Sequence, residues 1–384
     1  IPLMKKIGYS KEFSGAVSST ASVGGQLLPP IMGAAAFIMA ETLGIKYKEI
    51  VVAVAIPALI YYLGIIFQIQ LRASKNKLDG MPKDQLPKVK ETLKMYWHLT
   101  IPILFLVYML FFSGYTVIKG AFLTIILTII IAQLKKETRM SLKDIEAAFV
   151  ASAKSTVSVA IACACVGIVI GVSSLTGFTI NMASAIISLG GKSLLLTLVF
   201  TMVTCMLLGM GLPSIPAYII TVTIAAPALI ELGIVPLAAH LFCFYFAMFA
   251  NITPPVALAS FAAAGISGGN PMKTGIVSIK LALAGFIIPY MFVYNNQLLL
   301  MNTNIWQGIQ VTITACVGVF LISAAVEGYF HTKVNIFMRL VMLAGAFLLI
   351  DSALLTDLAG VGIFVASIFI QRILAQREAR HTAA

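Results

Sequence analysis

Residues 51–71 pass without one charged side chain, and several other apolar runs are of similar kind. About 20 such residues are what a helix needs to cross a bilayer. Only a helix or a closed barrel satisfies its own backbone polar groups in hydrocarbon. A barrel would show alternating strands of about 10 residues, and these runs are continuously apolar instead. Charged residues make up 10% of the chain and mean hydropathy is +1.01, where a soluble domain carries about 25% charged residues. The sequence therefore predicts an all-α polytopic membrane protein.

The second constraint is a motif that occurs twice, 225 residues apart. IPLMKKIGYSKEFSGAVSSTASVGGQLLPPIMGAAAF occupies 1–37, and APALIELGIVPLAAHLFCFYFAMFANITPPVALASFA occupies 226–262. Without a gap, Pro2 falls on Pro227, Gly8 on Gly233, Pro29 on Pro254, Pro30 on Pro255, and Gln26 on Asn251. Each copy sets a double proline inside an apolar stretch. Proline has no N–H to donate and ends a helix, and at membrane depth the freed backbone must line a cavity or be buried in protein. Breaks at matching positions of two halves point to the binding site of a secondary transporter.

Along the chain, helices are expected at about 51–71, 98–112, 115–133 and 156–172, with Ser141 opening a helix that leads into the last of these. The run 178–189 is too short to span and is expected to be re-entrant or interfacial. A segment at 194–210 breaks at GMGLPSIPAY and resumes to about 232. The second broken segment follows at 236–265, then a helix at 276–300 and three further spans at 305–325, 337–350 and 358–370. The chain divides into 1–71, the end of a first repeat with its broken segment; 72–155, loops and scaffold helices; 156–300, a second repeat; and 301–384, a three-helix C-terminal extension.

The net charge of +12 marks cytoplasmic loops rather than nucleic-acid binding, because no basic stripe with interleaved aromatics is present. The loop at 72–94 holds seven basic and three acidic residues. The helix after the first break ends in this basic loop. The matching helix after the second break ends in MNTN, without charge. The two copies are thus expected in opposite orientations, as an inverted repeat.

Oxygen donors cluster at the breaks: Ser19, Thr20, Ser22 and Gln26 with Gly24 and Gly25 at the first, Asn251 and Thr253 at the second, and Ser214 with Gly209 and Gly211 at the third. Neutral oxygens suit a hard cation such as sodium, and helix N-termini suit an anion. Ser and Gly also serve ordinary helix packing in membranes. His240 is read as a hydrogen-bonded packing residue, with proton carrier as the alternative. Asp351 and Asp357 are read as a solvated turn, and Lys280 and Glu327 as snorkelling at span ends. The five cysteines, Cys163, Cys165, Cys205, Cys243 and Cys316, form no CxxC or Cys/His cluster. They read as small buried hydrophobes, and no transition-metal site is expected. HExxH, GxSxG, Walker and GxGxxG motifs are absent.

The runs ASVGGQLLPPIMGAAAFIMAE and GMGLPSIPAYIITVTIAAPALIELGIVPLAAHLFCFYFAMFANITPPVALASFAAAG resemble the large membrane subunit of tripartite ATP-independent periplasmic (TRAP) transporters. Within that family the likeness is to fused permeases that work with TAXI-type solute-binding proteins, and it covers essentially the whole chain. The resemblance implies an elevator-type transporter of the inner membrane. Two re-entrant hairpins would ride in a mobile domain driven by a sodium gradient or, as the alternative, a proton gradient. A periplasmic TAXI-type binding protein would deliver a small organic anion, often a carboxylate, and a small membrane subunit or its fused equivalent would complete the assembly. Carried over by motif position, sodium would meet Ser22, Gly24, Gly25, Asn251 and Thr253. Gly209, Gly211 and Ser214 would form a wall shared by ion and substrate, with Gln26 and Asn251 also facing substrate, and Pro29, Pro30, Pro254 and Pro255 would set the hairpin turns. Two departures stand out. Pro213 occupies a place where the dicarboxylate branch carries an aspartate. A small-residue motif expected before Ile1 is missing, so the chain is read as N-terminally truncated. The competing readings are a stand-alone ion-coupled transporter of related architecture and a membrane-embedded enzyme.

Overall fold

The computed structural model describes the chain except residues 82–87, 192, 351–353 and 384, and except the side chains of residues 354 and 377–383. Asp351, Arg377 and Arg380 fall outside this description. The described residues contain no β-strand, only an isolated antiparallel bridge between Tyr329 and Lys333.

Chain-breaking residues set most helix ends. Helix α1 (Pro2–Ile7) starts on a proline, harmless where the N–H has no helical partner, and stops at Gly8, whose φ is 112°. Helix α2 (Lys11–Gly24) is capped by Ser10, which accepts from the Phe13 N–H at 3.2 Å. After the first break come α3 (Ala35–Leu43) and α4 (Tyr47–Lys75). Then follow α5 (Val89–Tyr96), α6 (Ile101–Phe111) and α7 (Val117–Ala132). Helix α8 (Leu142–Leu175) opens on a reciprocal Ser141–Asp144 capping box, as the Ser141 signal implies, and α9 (Phe178–Gly190) is short. Helices α10 (Leu194–Gly209) and α11 (Ser214–Glu231) flank the break at GMGLPS, and α12 (Pro236–Phe249) and α13 (Leu258–Ser267) flank the second double proline. The chain closes with α14 (Pro271–Tyr294), α15 (Ile305–Glu327), α16 (Ile336–Leu348) and α17 (Leu354–Ala383).

Seven helical stretches among the described residues are long and apolar enough to cross a membrane. Helix α16 is not one of them. Its 13 residues, started at the Asn335 cap, fall short of the span expected at 337–350.

The sequence repeat is also a repeat of local structure. An offset of 225 carries the ends of α2, Lys11 and Gly24, onto the ends of α12, Pro236 and Phe249. It carries Met32 onto Ala257, both with positive φ (57° and 39°), and both proline pairs hold a cis bond. It also carries the Met32 N–H to Leu28 carbonyl bond onto the Ala257 N–H to Thr253 carbonyl bond, each 3.2 Å.

Helix α12 is the core. Every residue from Leu237 to Phe249 is buried, against α10, α11 and α14. A helix apolar all round belongs in an interior. Beside it, the fully buried Tyr61 ring of α4 lies in a slot between Gly24 and Gly285, where a Cβ on either glycine would overlap the ring. Its hydroxyl donates to the Thr20 carbonyl at 2.8 Å, and its ring stacks on Phe249. Gly24→Ala is therefore expected to destabilise the protein by about 1–3 kcal/mol, the usual cost of overpacking. A lowered melting temperature in detergent would register it, and an unchanged one would show that the slot can open.

By contrast, the windows of α5–α6 and α8 that could span are only 17% and 6% buried. Their apolar side chains face outward, as lipid-facing helices require. Cys165 on α8 is exposed, unlike the buried Cys205 and Cys243, so not every cysteine fills an interior.

Two readings of charged residues need correction. Asp357 is 5% exposed in the first turn of α17 and accepts from Gln310 of α15 at 3.2 Å, so it is not a solvated turn residue. Glu327 does not snorkel. It is 5% exposed and lies 2.5 Å from Arg72 Nε and 3.3 Å from Lys75 Nζ. A charge buried this far must be paired, and its partners come from α4, too distant in sequence to be seen. Lys280 faces a polar cavity that it shares with these residues.

Candidate functional site

Three helices end where their sequence forbids continuation, and the ends converge. Helix α2 stops at Gly24 before Pro29 and Pro30. Tyr47 steadies the chain beyond it, its hydroxyl donating to the Pro30 carbonyl at 3.0 Å and the Ile31 carbonyl at 2.7 Å. Tyr61 and Tyr62 donate to the Thr20 and Ala21 carbonyls, each at 2.8 Å. Helix α12 runs into a 3-10 turn, Ala250–Ile252, that holds Asn251. Thr253 follows, its hydroxyl turned back onto the Phe249 carbonyl at 2.8 Å. Helix α10 ends at Gly209, where a Cβ would stand 3.0 Å from the Ala247 Cα, so any larger residue would have to push α10 and α12 apart. Gly211, with φ 76°, turns the chain into α11.

A cavity of about 430 Å³ opens at this convergence. Ser22, Gln26, Gly211, Ser214 and Asn251 line it, with Val23, Leu212, Pro213, Leu258 and Ala259 as apolar wall. None of these residues is charged. Gln26 and Asn251, the carboxamides that coincide under the 225-residue offset, face the same space. The Gln26 Oε1 is buried without a hydrogen-bond partner. Such an orphaned oxygen is costly to leave unmade and suits a ligand that brings positive charge or a donor.

The helix ends add a field. The C-termini of α2, α10 and α12 present partial negative charge, and the N-termini of α11 and α13 present partial positive charge. One small space can thus receive a cation and an anion without a charged side chain. The sites expected from sequence divide accordingly. Gly24, Gly25, Gly209 and Thr253 lie outside the lining: Gly24 against Tyr61, Gly25 near the Tyr62 hydroxyl, Gly209 against Ala247 and Thr253 bonded to its own helix. Pro254 packs where a Cβ on Gly275 would come within 2.8 Å of its ring. His240 Nδ1 lies 2.8 Å from the Tyr218 hydroxyl, a hydrogen-bonded position away from the cavity.

Sequence reasoning named Ser19 at the first break but missed the residues that brace it. Ser19 of α2, Ser260 of α13 and Ser278 of α14 form a buried hydroxyl ring, with oxygens 3.0 Å (Ser19–Ser278), 3.3 Å (Ser19–Ser260) and 2.9 Å (Ser260–Ser278) apart. Tyr61 and Tyr62 also went unnoticed. The signal for them was a pair of adjacent phenols in the apolar middle of α4, since a buried tyrosine seeks an acceptor.

A family model described as the tripartite ATP-independent periplasmic transporter, DctM component, matches residues 1–307. The chain belongs to this family. No curated protein matches the sequence. The DctM component is a TRAP transporter permease and not an enzyme, and the chain is accordingly a multi-pass membrane protein. A TRAP permease works with a periplasmic binding protein and a small membrane subunit, which the family assignment implies as partners. The DctM match ends early in α15, so α16 and α17 lie beyond it.

Proposed function

We propose that this TRAP permease couples the entry of an organic anion, a carboxylate by preference, to sodium, and that the cavity between the breaks is where both bind. The reading rests on one observation above others: the two offset-matched carboxamides, Gln26 and Asn251, line a single charge-free cavity, and one of them has an unpartnered oxygen. Neutral oxygens and helix C-termini favour a hard cation, while the α11 and α13 N-termini favour a carboxylate.

Energetics support co-transport. An anion entering a negative-inside cell is opposed by about 2.3 kcal/mol per charge per 100 mV. More sodium ions than substrate charges reverse that sign. In this reading the two broken segments are re-entrant hairpins of an inverted repeat in the inner membrane, and they carry the site across as an elevator. A TAXI-type binding protein selects the anion, in keeping with a permease cavity that has no charged group of its own.

Sodium binding is testable without knowing the substrate. A ligand that binds only the folded state stabilises it by RT ln(1 + [L]/Kd). The purified chain is expected to melt several degrees higher in sodium chloride than in choline or potassium chloride at equal ionic strength. Identical melting in all three salts would remove sodium from the proposal.

A further inference from the structure

Away from the transport cavity, a second and more enclosed space of about 270 Å³ lies in the seam between the family core and the C-terminal extension. Arg72 and Lys75 reach it from the last turns of α4, Lys280 from α14, and Glu327 and Arg339 from α15 and α16. Glu327 and Arg339 lie beyond the region matched by the DctM family.

The charges do not balance. Four cations line this space against one carboxylate. Glu327 is engaged by Arg72 at 2.5 Å and Lys75 at 3.3 Å, and Lys75 also donates to the Glu327 carbonyl at 2.6 Å. Arg339 closes the end of α15, donating to the Ala325 carbonyl at 2.5 Å and the Val326 carbonyl at 3.2 Å. The Arg72 guanidinium also sits 4.8 Å over the Phe13 ring, which fixes its plane. Lys280 makes no hydrogen bond or ion pair among the described residues. Three positive charges thus converge without an anionic counterpart, one of them on an uncommitted ammonium.

We propose that this seam binds a phosphate group, that of an anionic phospholipid headgroup. Arginine and lysine are the residues that recognise phosphate, Arg by its fork of donors and Lys as a point charge. The position selects the lipid. The space lies where α4 and α15 end, at the level expected of headgroups, and Val277 and Val326 supply an apolar wall along which a glycerol backbone descends. Basic pockets between transmembrane helices are suited to such headgroups. A bound phosphate bridges Arg72 and Lys280 of the core to Arg339 of the extension and neutralises the surplus that otherwise pushes them apart. The site is independent of the sodium reading, since it shares no lining residue with the transport cavity.

The test uses the purified full chain, stripped of lipid in detergent and titrated with dioleoyl phosphatidylglycerol or dioleoyl phosphatidylcholine under native mass spectrometry. Phosphatidylglycerol is expected to bind in preference. Lys280→Gln is expected to weaken it about five-fold, the loss for one basic residue near an anionic surface, and this exposed, unpaired side chain can be changed without disturbing the fold. Glu327→Gln removes the internal counter-ion and is expected to shift affinity the other way, upward. Inorganic phosphate distinguishes the sources. If it only competes weakly with the lipid, the headgroup is the ligand. If it binds tightly and phosphatidylglycerol adds nothing, phosphate recognition stands but the lipid assignment falls. Equal binding of the two lipids, unchanged in Lys280→Gln and with no effect of phosphate, would overturn the site altogether.

Discussion

Asn251→Ala is expected to raise the sodium concentration needed for thermal stabilisation by about ten- to a hundred-fold, the equivalent of losing one hydrogen-bond-like contact to a charged group. Its amount in the membrane should stay near that of the unaltered chain. Asn251 sits in a short turn and lines the cavity, and its side chain makes no hydrogen bond among the described residues, so its removal subtracts a ligand rather than a support. Gln26→Ala should act in the same direction from the opposite wall. Because both face one space, the double variant is expected to lose less than the two single losses combined, the mark of residues that serve one ligand. Two single variants with unaltered sodium response would end the assignment of this cavity to sodium.

Replacing Pro254 and Pro255 together with alanine is expected to cut substrate uptake by more than about ten-fold while the protein still inserts, since a one-ångström misplacement at a site can cost a hundred-fold. The reason lies in the backbone. Neither proline can donate an N–H, so α12 cannot run on past Thr253. Alanine restores both donors and allows the helix to continue, which would swing Asn251 off the cavity. Pro254 also fills the space over Gly275, and alanine leaves a gap there. The measurement is uptake of the substrate supplied by the binding protein, set against membrane abundance. Normal uptake by the double variant would mean the turn is held by its neighbours instead.

The parts of this molecule that announced themselves in sequence are those whose cause is local. Pro29, Pro30, Pro254, Pro255 and the glycines around Pro213 interrupt helices wherever they stand, so the three breaks fell close to their predicted places. The coincidence of Gln26 with Asn251 was likewise readable, because a repeat keeps its register. What stayed hidden depends on which helices meet. Thr20 is held by a tyrosine 41 residues away, and Ser19 by serines 241 and 259 residues away. Nothing local distinguishes those serines from the many that merely allow close helix packing. The same blindness concealed Glu327, whose burial makes sense only with Arg72 and Lys75 beside it. It also hid the separation of Gly24 and Gly209 from the lining, since a glycine that admits a neighbour and one that admits a ligand look alike in one dimension.

The hydroxyl ring of Ser19, Ser260 and Ser278 has a mechanical meaning. It ties the arm before one break to the arm after the other and to the long helix behind both, entirely out of reach of water. Pulling the breaks apart would break the contacts between the three hydroxyls and leave each with only its backbone acceptor, the Ala16, Ile252 or Thr274 carbonyl. The windows of α5–α6 and α8 have no such ties to the breaks among the described residues and are only 17% and 6% buried. A displacement of one break must therefore either carry its twin along or break these hydroxyl contacts.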